Sequence, residues 1–263
     1  MNDQIKVAVS GACGKMGREV VKAVLGAADM ALLGLCDIVP CPLPDTDLPV
    51  EVNMGEMLGR VRPDVLVDFT SPKAVMENIR MAFAHNVRPV VGTTGITPEN
   101  LEEIRGLSRS SGIGALIAPN FAIGAVLMMK FASEAAKHMP AVEIIELHHD
   151  KKLDAPSGTA IKTAEMIAAA RGGDSGFRIP NPESRIPDSE LSARGGEFHG
   201  TRIHSVRLPG LVAHQEVIFG GLGQTLTIRH DSLDRQSFMP GVLIAIRHVV
   251  KDNQVIYGLD KIL

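Results

Sequence analysis

The sequence is poor in the residues that are typical of membrane proteins and nucleic-acid-binding proteins. Its 263 residues include no Trp, one Tyr and only 3% aromatic residues, which disfavours base-stacking platforms and interfacial aromatic belts. A formal net charge of −3 provides no basic surface for nucleic acid or anionic lipid. No apolar run reaches the roughly 18 residues that a membrane-spanning helix needs. The first residues also lack the features of a signal peptide, so we expect a cytoplasmic protein.

Cysteine is also scarce, with three residues in the whole chain. Cys13, Cys36 and Cys41 cannot form a complete disulfide framework, and their spacing matches no zinc-binding pattern. We therefore expect three reduced thiols and no bound metal.

Hydrophobic residues make up 45% of the chain, which is enough for the core of one large or two modest domains. Over residues 1–120, short apolar runs alternate with helix-like stretches. This alternation predicts an α/β, Rossmann-like parallel sheet that forms a dinucleotide-binding domain. Thr97 before Pro98 is typical of a helix start. The predicted strands are Ile5–Ser10, Ala31–Cys36, Asp64–Phe69, Arg88–Val91 and Ile113–Ala118.

The pattern changes after residue 120. The pattern of residues 121–231 predicts an α+β domain with a mixed or antiparallel sheet. The pattern of residues 232–263 predicts a C-terminal helix that rejoins the first domain. The polar residues 171–200 have no periodicity and are predicted as surface loops, and Gly220-Gly221 indicates a hairpin. The predicted elements are helices Ile123–His138, Ala155–Ala170 and Phe238–Val250, and strands Ala141–His149, Arg202–Leu208, Val212–Phe219 and Leu222–Asp231.

Glycines mark a candidate cofactor site after the first strand. Gly11, Gly14 and Gly17 would let backbone N–H groups approach a pyrophosphate at the start of the first helix. Asp37 ends the second strand 20 residues after Gly17, where a ribose-binding carboxylate belongs. No cation follows Asp37, and a carboxylate repels a 2′-phosphate, so we expect NADH to be preferred, with NADPH possible. The alternative is a glycine-rich turn and a solvated aspartate.

The run ELHHDKKLDAPSGTA, residues 146–160, is the most informative in the chain. It combines two His and two Lys residues with a Pro-Ser-Gly-Thr helix start. Histidine suits proton transfer near neutral pH, and the N–H groups of a helix start bind carboxylates. The run therefore suits a small dicarboxylic acid substrate. A solvated charged loop is the alternative, whereas Lys neighbours disfavour a metal site.

These features resemble the 4-hydroxy-tetrahydrodipicolinate reductase family, formerly called dihydrodipicolinate reductase, of the diaminopimelate route to lysine. The resemblance covers nearly the whole chain. It implies a homotetramer, built through the sheet of the C-terminal domain, that reduces a cyclic imine dicarboxylate by hydride transfer from a nicotinamide to ring C4. The stretches that carry it are VAVSGACGKMGREV, DFTSP, GTTG, APNFAIGAV and, above all, ELHHDKKLDAPSGTA.

The resemblance also implies residue roles by position. It implies that His148 is the catalytic proton donor and acceptor, that Lys152 is the second proton donor, and that the substrate-binding residues are His149, Gly158 and Thr159. The cofactor-binding residues that it implies are Gly11, Ala12, Cys13, Gly14, Lys15, Met16, Asp37, Gly92, Thr93, Thr94, Ala118, Pro119, Asn120 and Phe121. Some family members have Arg after the ribose-binding acid and use NADPH well. Because Ile38 takes that position here, we do not expect efficient use of NADPH.

Two other functions remain open at this point. One is another two-domain NAD-dependent dehydrogenase, acting on an amino acid, a semialdehyde or a sugar. The other is a nucleotide sensor that binds NADH without turnover. Both account for the glycines and Asp37, but neither requires the run at residues 146–160.

Overall fold

Residues 4–172 and 194–263 are described by a computed structural model. The chain divides into two units, one from the described residues of Met1–Ile123 with Arg235–Leu263 and one from those of Gly124–Asp234. None of the described helices has both the length and the apolar character to cross a bilayer.

Twelve strands and seven α-helices are formed by the described residues. The strands are β1 (Ile5–Ser10), β2 (Met30–Cys36), β3 (Val50–Glu51), β4 (Val65–Asp68), β5 (Arg88–Val91), β6 (Ala115–Ile117), β7 (Ala141–His148), β8 (Gly196–Phe198), β9 (Thr201–Arg207), β10 (Ala213–Gly221), β11 (Gln224–Ser232) and β12 (Val255–Tyr257). The helices are α1 (Lys15–Leu25), α2 (Met54–Val61), α3 (Val75–Ala84), α4 (Pro98–Ser111), α5 (Ile123–Ala135), α6 (Gly158–Ala170) and α7 (Met239–Val249).

The first unit contains a seven-stranded sheet in which every neighbouring pair is parallel. The strand order is β12-β6-β5-β4-β1-β2-β3. The chain moves outward from β1 to β2 and β3, then returns to β4 on the other side of β1. The carboxyl end of β1 is therefore the topological switch point, where ligands bind in open α/β sheets.

Burial explains why these runs form the centre of the sheet. All four residues of β4 are buried, as are the last four of β1, because helices cover both faces of a parallel sheet. Thr97 and Asn100 cap α4 reciprocally, with Pro98 in the first turn. Helix α7 packs within the first unit so closely that a Cβ on Gly241 would lie 2.0 Å from the Phe121 carbonyl oxygen.

The second unit contains a five-stranded mixed sheet in the order β11-β10-β7-β9-β8. Strands β7 and β9 pair in parallel, and the other pairs are antiparallel. Helix α6 contributes Ala160, Ala164 and Ile167 to the core of this unit. The predicted combination of a Rossmann-like parallel sheet with a second, mixed sheet is confirmed.

Several details of the prediction are wrong. Helix α2 and strands β3, β8 and β12 were not predicted, and β8 and β12 lie within the stretches predicted as surface loops and as a C-terminal helix. These three strands have two or three residues, too few to show a period of two. Residues 173–193 of the predicted loop lie outside the described residues.

The hairpin is also displaced. Strand β10 continues through Gly221, which pairs with Gln224, so the turn lies at Leu222-Gly223 rather than at Gly220-Gly221. Gly223 has a φ of 70°, which glycine adopts without strain. Strands β9 and β10 follow each other in sequence but are separated in the sheet by β7.

Candidate functional site

The glycine loop joins β1 to α1 at the switch point. Gly11 has a φ of 76°, and a Cβ added there would lie 2.4 Å from the Phe69 carbonyl oxygen. A Cβ on Gly17 would lie 2.0 Å from the Gly11 carbonyl oxygen. Glycine is therefore required at both positions for the loop to turn this tightly into α1. Gly14, the N-cap of α1, has no side chain to cap the first N–H groups, which suits a pyrophosphate.

Asp37 lies against this loop, after the end of β2. Its carboxylate oxygens accept hydrogen bonds from the backbone N–H groups of Cys13, at 2.9 Å, and Ile38, at 2.7 Å. Each oxygen can accept a second hydrogen bond, so the carboxylate can also hold a ribose hydroxyl. Ile38 is 88% exposed and carries no charge.

The cysteines differ from the prediction. Cys13 and Cys41 form a disulfide, so the expectation of three reduced thiols is wrong. This bond attaches the glycine loop to the segment after β2. Arg18 lies alongside, and its Nε donates to the Cys13 carbonyl oxygen at 3.1 Å. Cys36 is a free thiol, and burial, reinforced by the Asp37 carboxylate, raises its pKa to about 11.

The segment Gly92–Thr94 follows β5 at the same edge of the sheet. A Cβ on Gly92 would lie 2.1 Å from the Phe69 ring. Thr93 is only 7% exposed, and its hydroxyl donates to an Asp68 carboxylate oxygen at 2.6 Å and accepts from the Thr70 N–H at 2.8 Å. Thr94 is exposed. The Thr93 hydroxyl therefore fixes the loop, while Thr94 is the threonine accessible to a ligand.

Asp68, beside the predicted cofactor residues, was not predicted from the sequence. It is a buried carboxylate at the end of β4, and it accepts hydrogen bonds from Thr70 Oγ1 at 2.8 Å and Asn78 Nδ2 at 2.6 Å as well as from Thr93. It joins the ends of β4 and β5. The available signal was an acid at the last but one position of the predicted strand Asp64–Phe69, in the DFTSP stretch.

The segment Ala118–Phe121 follows β6. Ala118 and Phe121 are buried, and the Phe121 ring lies 5.8 Å from that of Phe69. Asn120 Oδ1 accepts a hydrogen bond from the Ala122 N–H at 2.9 Å, which fixes the turn into α5. The predicted cofactor residues thus lie at the carboxyl ends of β1, β2, β5 and β6, on one edge of a parallel sheet.

The second unit holds the His-Lys run. His148 ends β7, and its side chain is 15% exposed. Its Nδ1 lies 2.5 Å from an oxygen of Glu146, a carboxylate with no exposed surface. Burial alone would raise the pKa of Glu146, but hydrogen bonds from His148, Arg207 and Ser205 outweigh it and lower the pKa to about 2. Glu146 is therefore ionised at neutral pH.

Lys152 and the start of α6 follow on the same segment. Lys152 Nζ lies 2.7 Å from both carboxylate oxygens of Asp154. Helix α6 begins at Gly158 rather than at Ala155, because the Ser157 hydroxyl caps it by accepting from the Ala160 N–H at 3.2 Å. The remaining predicted substrate residues are His149, which is exposed, and Gly158 and Thr159, which form the first turn of α6.

Comparison with known proteins gives a consistent result. Family models described as dihydrodipicolinate reductase, N-terminus, and dihydrodipicolinate reductase, C-terminus, match residues 5–121 and 124–263. A 4-hydroxy-tetrahydrodipicolinate reductase of Listeria welshimeri is 55% identical over 267 residues, covering 98% of this chain and 100% of that protein. One from Syntrophomonas wolfei is 49% identical over 271 residues, covering 100% of both.

A solved structure extends the comparison to three dimensions. It is the dipicolinate-bound dihydrodipicolinate reductase from Paenisporosarcina sp. TG-14, with a TM-score of 0.82 and 45% sequence identity. The match covers 99% of this chain and 100% of that one.

Proposed function

The chain belongs to the dihydrodipicolinate reductase family, and we propose that it catalyses the NAD(P)H-dependent reduction of 4-hydroxy-tetrahydrodipicolinate to tetrahydrodipicolinate. The reaction consumes one reduced nucleotide and one proton and releases one water, and it belongs to the diaminopimelate route to lysine. The observation that carries the proposal is the ion pair of the buried Glu146 with Arg207. Glu146 contacts His148 at the end of β7 and accepts a hydrogen bond from the Ser157 N–H just before α6.

The residues of the chain bind the substrate and supply protons. Loss of the C4 hydroxyl as water gives dihydrodipicolinate, and the reduced nicotinamide, when bound at the glycine loop, would supply the hydride to ring C4 of that conjugated compound. His148 acts as the acid and base, and such catalysis contributes roughly 10²–10⁴-fold in rate. The first turn of α6, at Gly158 and Thr159, binds a substrate carboxylate with the help of His149. When the substrate binds, Lys152 leaves its ion pair with Asp154, contacts the substrate and donates the second proton.

The proposal is tested by following the absorbance of NADH after adding freshly generated 4-hydroxy-tetrahydrodipicolinate. Rapid, substrate-dependent loss of the reduced-nicotinamide band is the expected result. Measurable NADH binding without oxidation would contradict the proposal and favour the nucleotide sensor. Oxidation with a semialdehyde or a sugar instead would favour the other dehydrogenases.

A variant pair tests the role of the lysine. Lys152→Ala should lose turnover and keep its NADH affinity, because the cofactor residues lie in the other unit. Lys151→Ala is the matched control, since it removes the neighbouring exposed lysine and should turn over normally. Equal turnover in the two variants would remove Lys152 from the mechanism.

We propose that NADH is preferred over NADPH. Asp37 presents an anchored carboxylate where a 2′-phosphate would have to lie, and the exposed Ile38 beside it offers no positive charge. The nearby Arg18 guanidinium is already hydrogen-bonded to the Cys13 carbonyl oxygen.

An added charge tests the preference. Ile38→Arg should lower the ratio of the NADPH dissociation constant to the NADH dissociation constant by about tenfold, because a single charge-assisted hydrogen bond contributes roughly 1.5 kcal/mol. Val39→Arg is the control, since it adds the same charge at the next exposed position. Wild-type protein that binds NADPH as tightly as NADH would refute the preference.

We also propose that the second unit carries the contacts of a homo-oligomer, a tetramer by the family resemblance. Its edge strand β11 exposes Leu226, and Leu222 and Leu233 flank that strand with most of their surface exposed. Light scattering after size-exclusion chromatography should give four times the mass of 28.1 kDa, and a monomeric mass would contradict the proposal. The cytoplasmic location stays a prediction.

A further inference from the structure

We infer that Glu146 is a positioning residue, which fixes the tautomer and orientation of His148 so that Nε2 is the ring atom that exchanges protons. The inference rests on the proposed function, because His148 is the proposed acid and base of that reaction. It names a residue that contacts the imidazole rather than the substrate.

The first support is the geometry on β7. Glu146 and His148 are two residues apart on one strand, so their side chains lie on the same face. The 2.5 Å contact joins Nδ1 to Oε2. An ionised carboxylate can only accept a hydrogen bond, so Nδ1 carries the hydrogen and Nε2 carries the lone pair. No described residue hydrogen-bonds to Nε2.

The second support is the counter-charge. Arg207 holds Glu146 with two hydrogen bonds, Nη1 to Oε2 at 2.9 Å and Nη2 to Oε1 at 2.7 Å. A carboxylate with no exposed surface would be costly to bury without such a partner. Arg207 lies on β9 directly beside His148 in the strand register. The ion pair therefore keeps Glu146 ionised and at a fixed distance from the imidazole.

The same pair also holds the segment that follows β7. The Ser157 N–H donates to Glu146 Oε1 at 3.2 Å, and Arg207 Nη2 donates to the Asp154 carbonyl oxygen at 2.8 Å. Lys152 lies within this segment. One buried carboxylate thus connects the proposed acid and base, the proposed second proton donor and the start of α6.

The charged groups near His148 lie on three segments. They are Glu146 on β7, Arg207 on β9 and the Lys152–Asp154 pair on the following segment. The neighbour of His148 on β10 is Ala213, and α6 begins with uncharged residues. In Glu146→Gln the amide can donate as well as accept a hydrogen bond, so Nδ1 is no longer held as the donor and kcat should fall.

The test compares Glu146→Gln with Glu143→Gln. Glu143 is a matched control because it lies on the same strand and also contacts a histidine and an arginine, His204 at 2.7 Å and Arg194 at 2.6 Å. We expect Glu146→Gln to lower kcat by about 10- to 100-fold, a part of the full acid–base contribution.

Binding separates positioning from loss of structure. The dissociation constants for NADH and for dipicolinate should stay within about threefold in Glu146→Gln, because neither ligand is proposed to contact Glu146. Glu143→Gln should keep the kcat of the wild type. A wild-type kcat in Glu146→Gln, or the same loss of kcat in both variants, would overturn the inference.

A spectroscopic readout covers a Glu146→Gln variant that fails to fold. Long-range ¹H–¹⁵N spectra of the wild-type protein should show His148 as the Nδ1–H tautomer, with the signal assigned by its absence in His148→Gln. An Nε2–H tautomer would overturn the inference. This readout needs no turnover, so it separates failure of the inference from failure of the proposed function, which would be a wild-type protein that does not oxidise NADH.

Discussion

The Thr93 hydroxyl gives a quantitative test of how the sheet edge is built. In Thr93→Val the side chain keeps its shape but loses the 2.6 Å hydrogen bond to Asp68 and the 2.8 Å hydrogen bond from the Thr70 N–H. A hydrogen bond to a charged acceptor contributes about 1.5–3 kcal/mol, and an unsatisfied buried donor costs about 1–3 kcal/mol. The Thr70 N–H retains a 3.2 Å contact with Asp68, so we expect a total loss of about 2–3 kcal/mol.

Thr93→Ser is the matched variant, because it keeps the hydroxyl and removes one buried methyl group. It should cost about 1 kcal/mol. Urea denaturation measures both free energies of unfolding, and NADH titration measures the effect on the cofactor. We expect Thr93→Val to be the less stable variant and the weaker NADH binder. Equal stability of the two variants would refute the role of the hydroxyl in fixing the loop after β5.

Three further predictions concern the two candidate sites. Because the pKa of Glu146 is lowered, its ionised carboxylate stabilises the folded protein at pH values above the ordinary glutamate pKa of 4.5. This stabilisation is lost as the pH falls toward about 2. Over that pH range the free energy of unfolding of the wild type, measured by urea denaturation, should therefore fall by about 3 kcal/mol more than that of Glu146→Gln. Equal decreases would contradict the lowered pKa of Glu146. Because Cys13 and Cys41 form a disulfide, denatured, unreduced protein should take up one alkylating group rather than three. Replacing both residues by Ser should lower the free energy of unfolding by about 2–4 kcal/mol. Gly17→Ala should weaken NADH binding at least about tenfold, because the loop must shift, whereas Gly26→Ala at the other end of α1 should bind normally.

The cofactor side of the fold was predictable because its signals are local. The glycine spacing, the acid 20 residues after Gly17 and the Thr97-Pro98 start of α4 each lie within a short stretch. Buried apolar runs of four to seven residues located the central parallel strands correctly. Residues that act through neighbours in sequence can be recognised without a structure.

Contacts between distant residues were not predictable. Arg207 lies 61 positions from Glu146, and Cys13 lies 28 positions from Cys41, so no periodicity or spacing connects them. The two-residue strand β3 and the three-residue strands β8 and β12 form because neighbouring strands offer unpaired backbone groups, a property of the assembled sheet rather than of their own residues.

The most direct test of the proposed function follows the hydride itself. NADH with deuterium at both C4 positions is incubated with the protein and freshly generated 4-hydroxy-tetrahydrodipicolinate, and the product is analysed by mass spectrometry and NMR. We predict one deuterium at ring C4 of tetrahydrodipicolinate for each NADH oxidised. Oxidised nucleotide without deuterium in the ring, or no oxidation at all, would contradict the assignment as a 4-hydroxy-tetrahydrodipicolinate reductase.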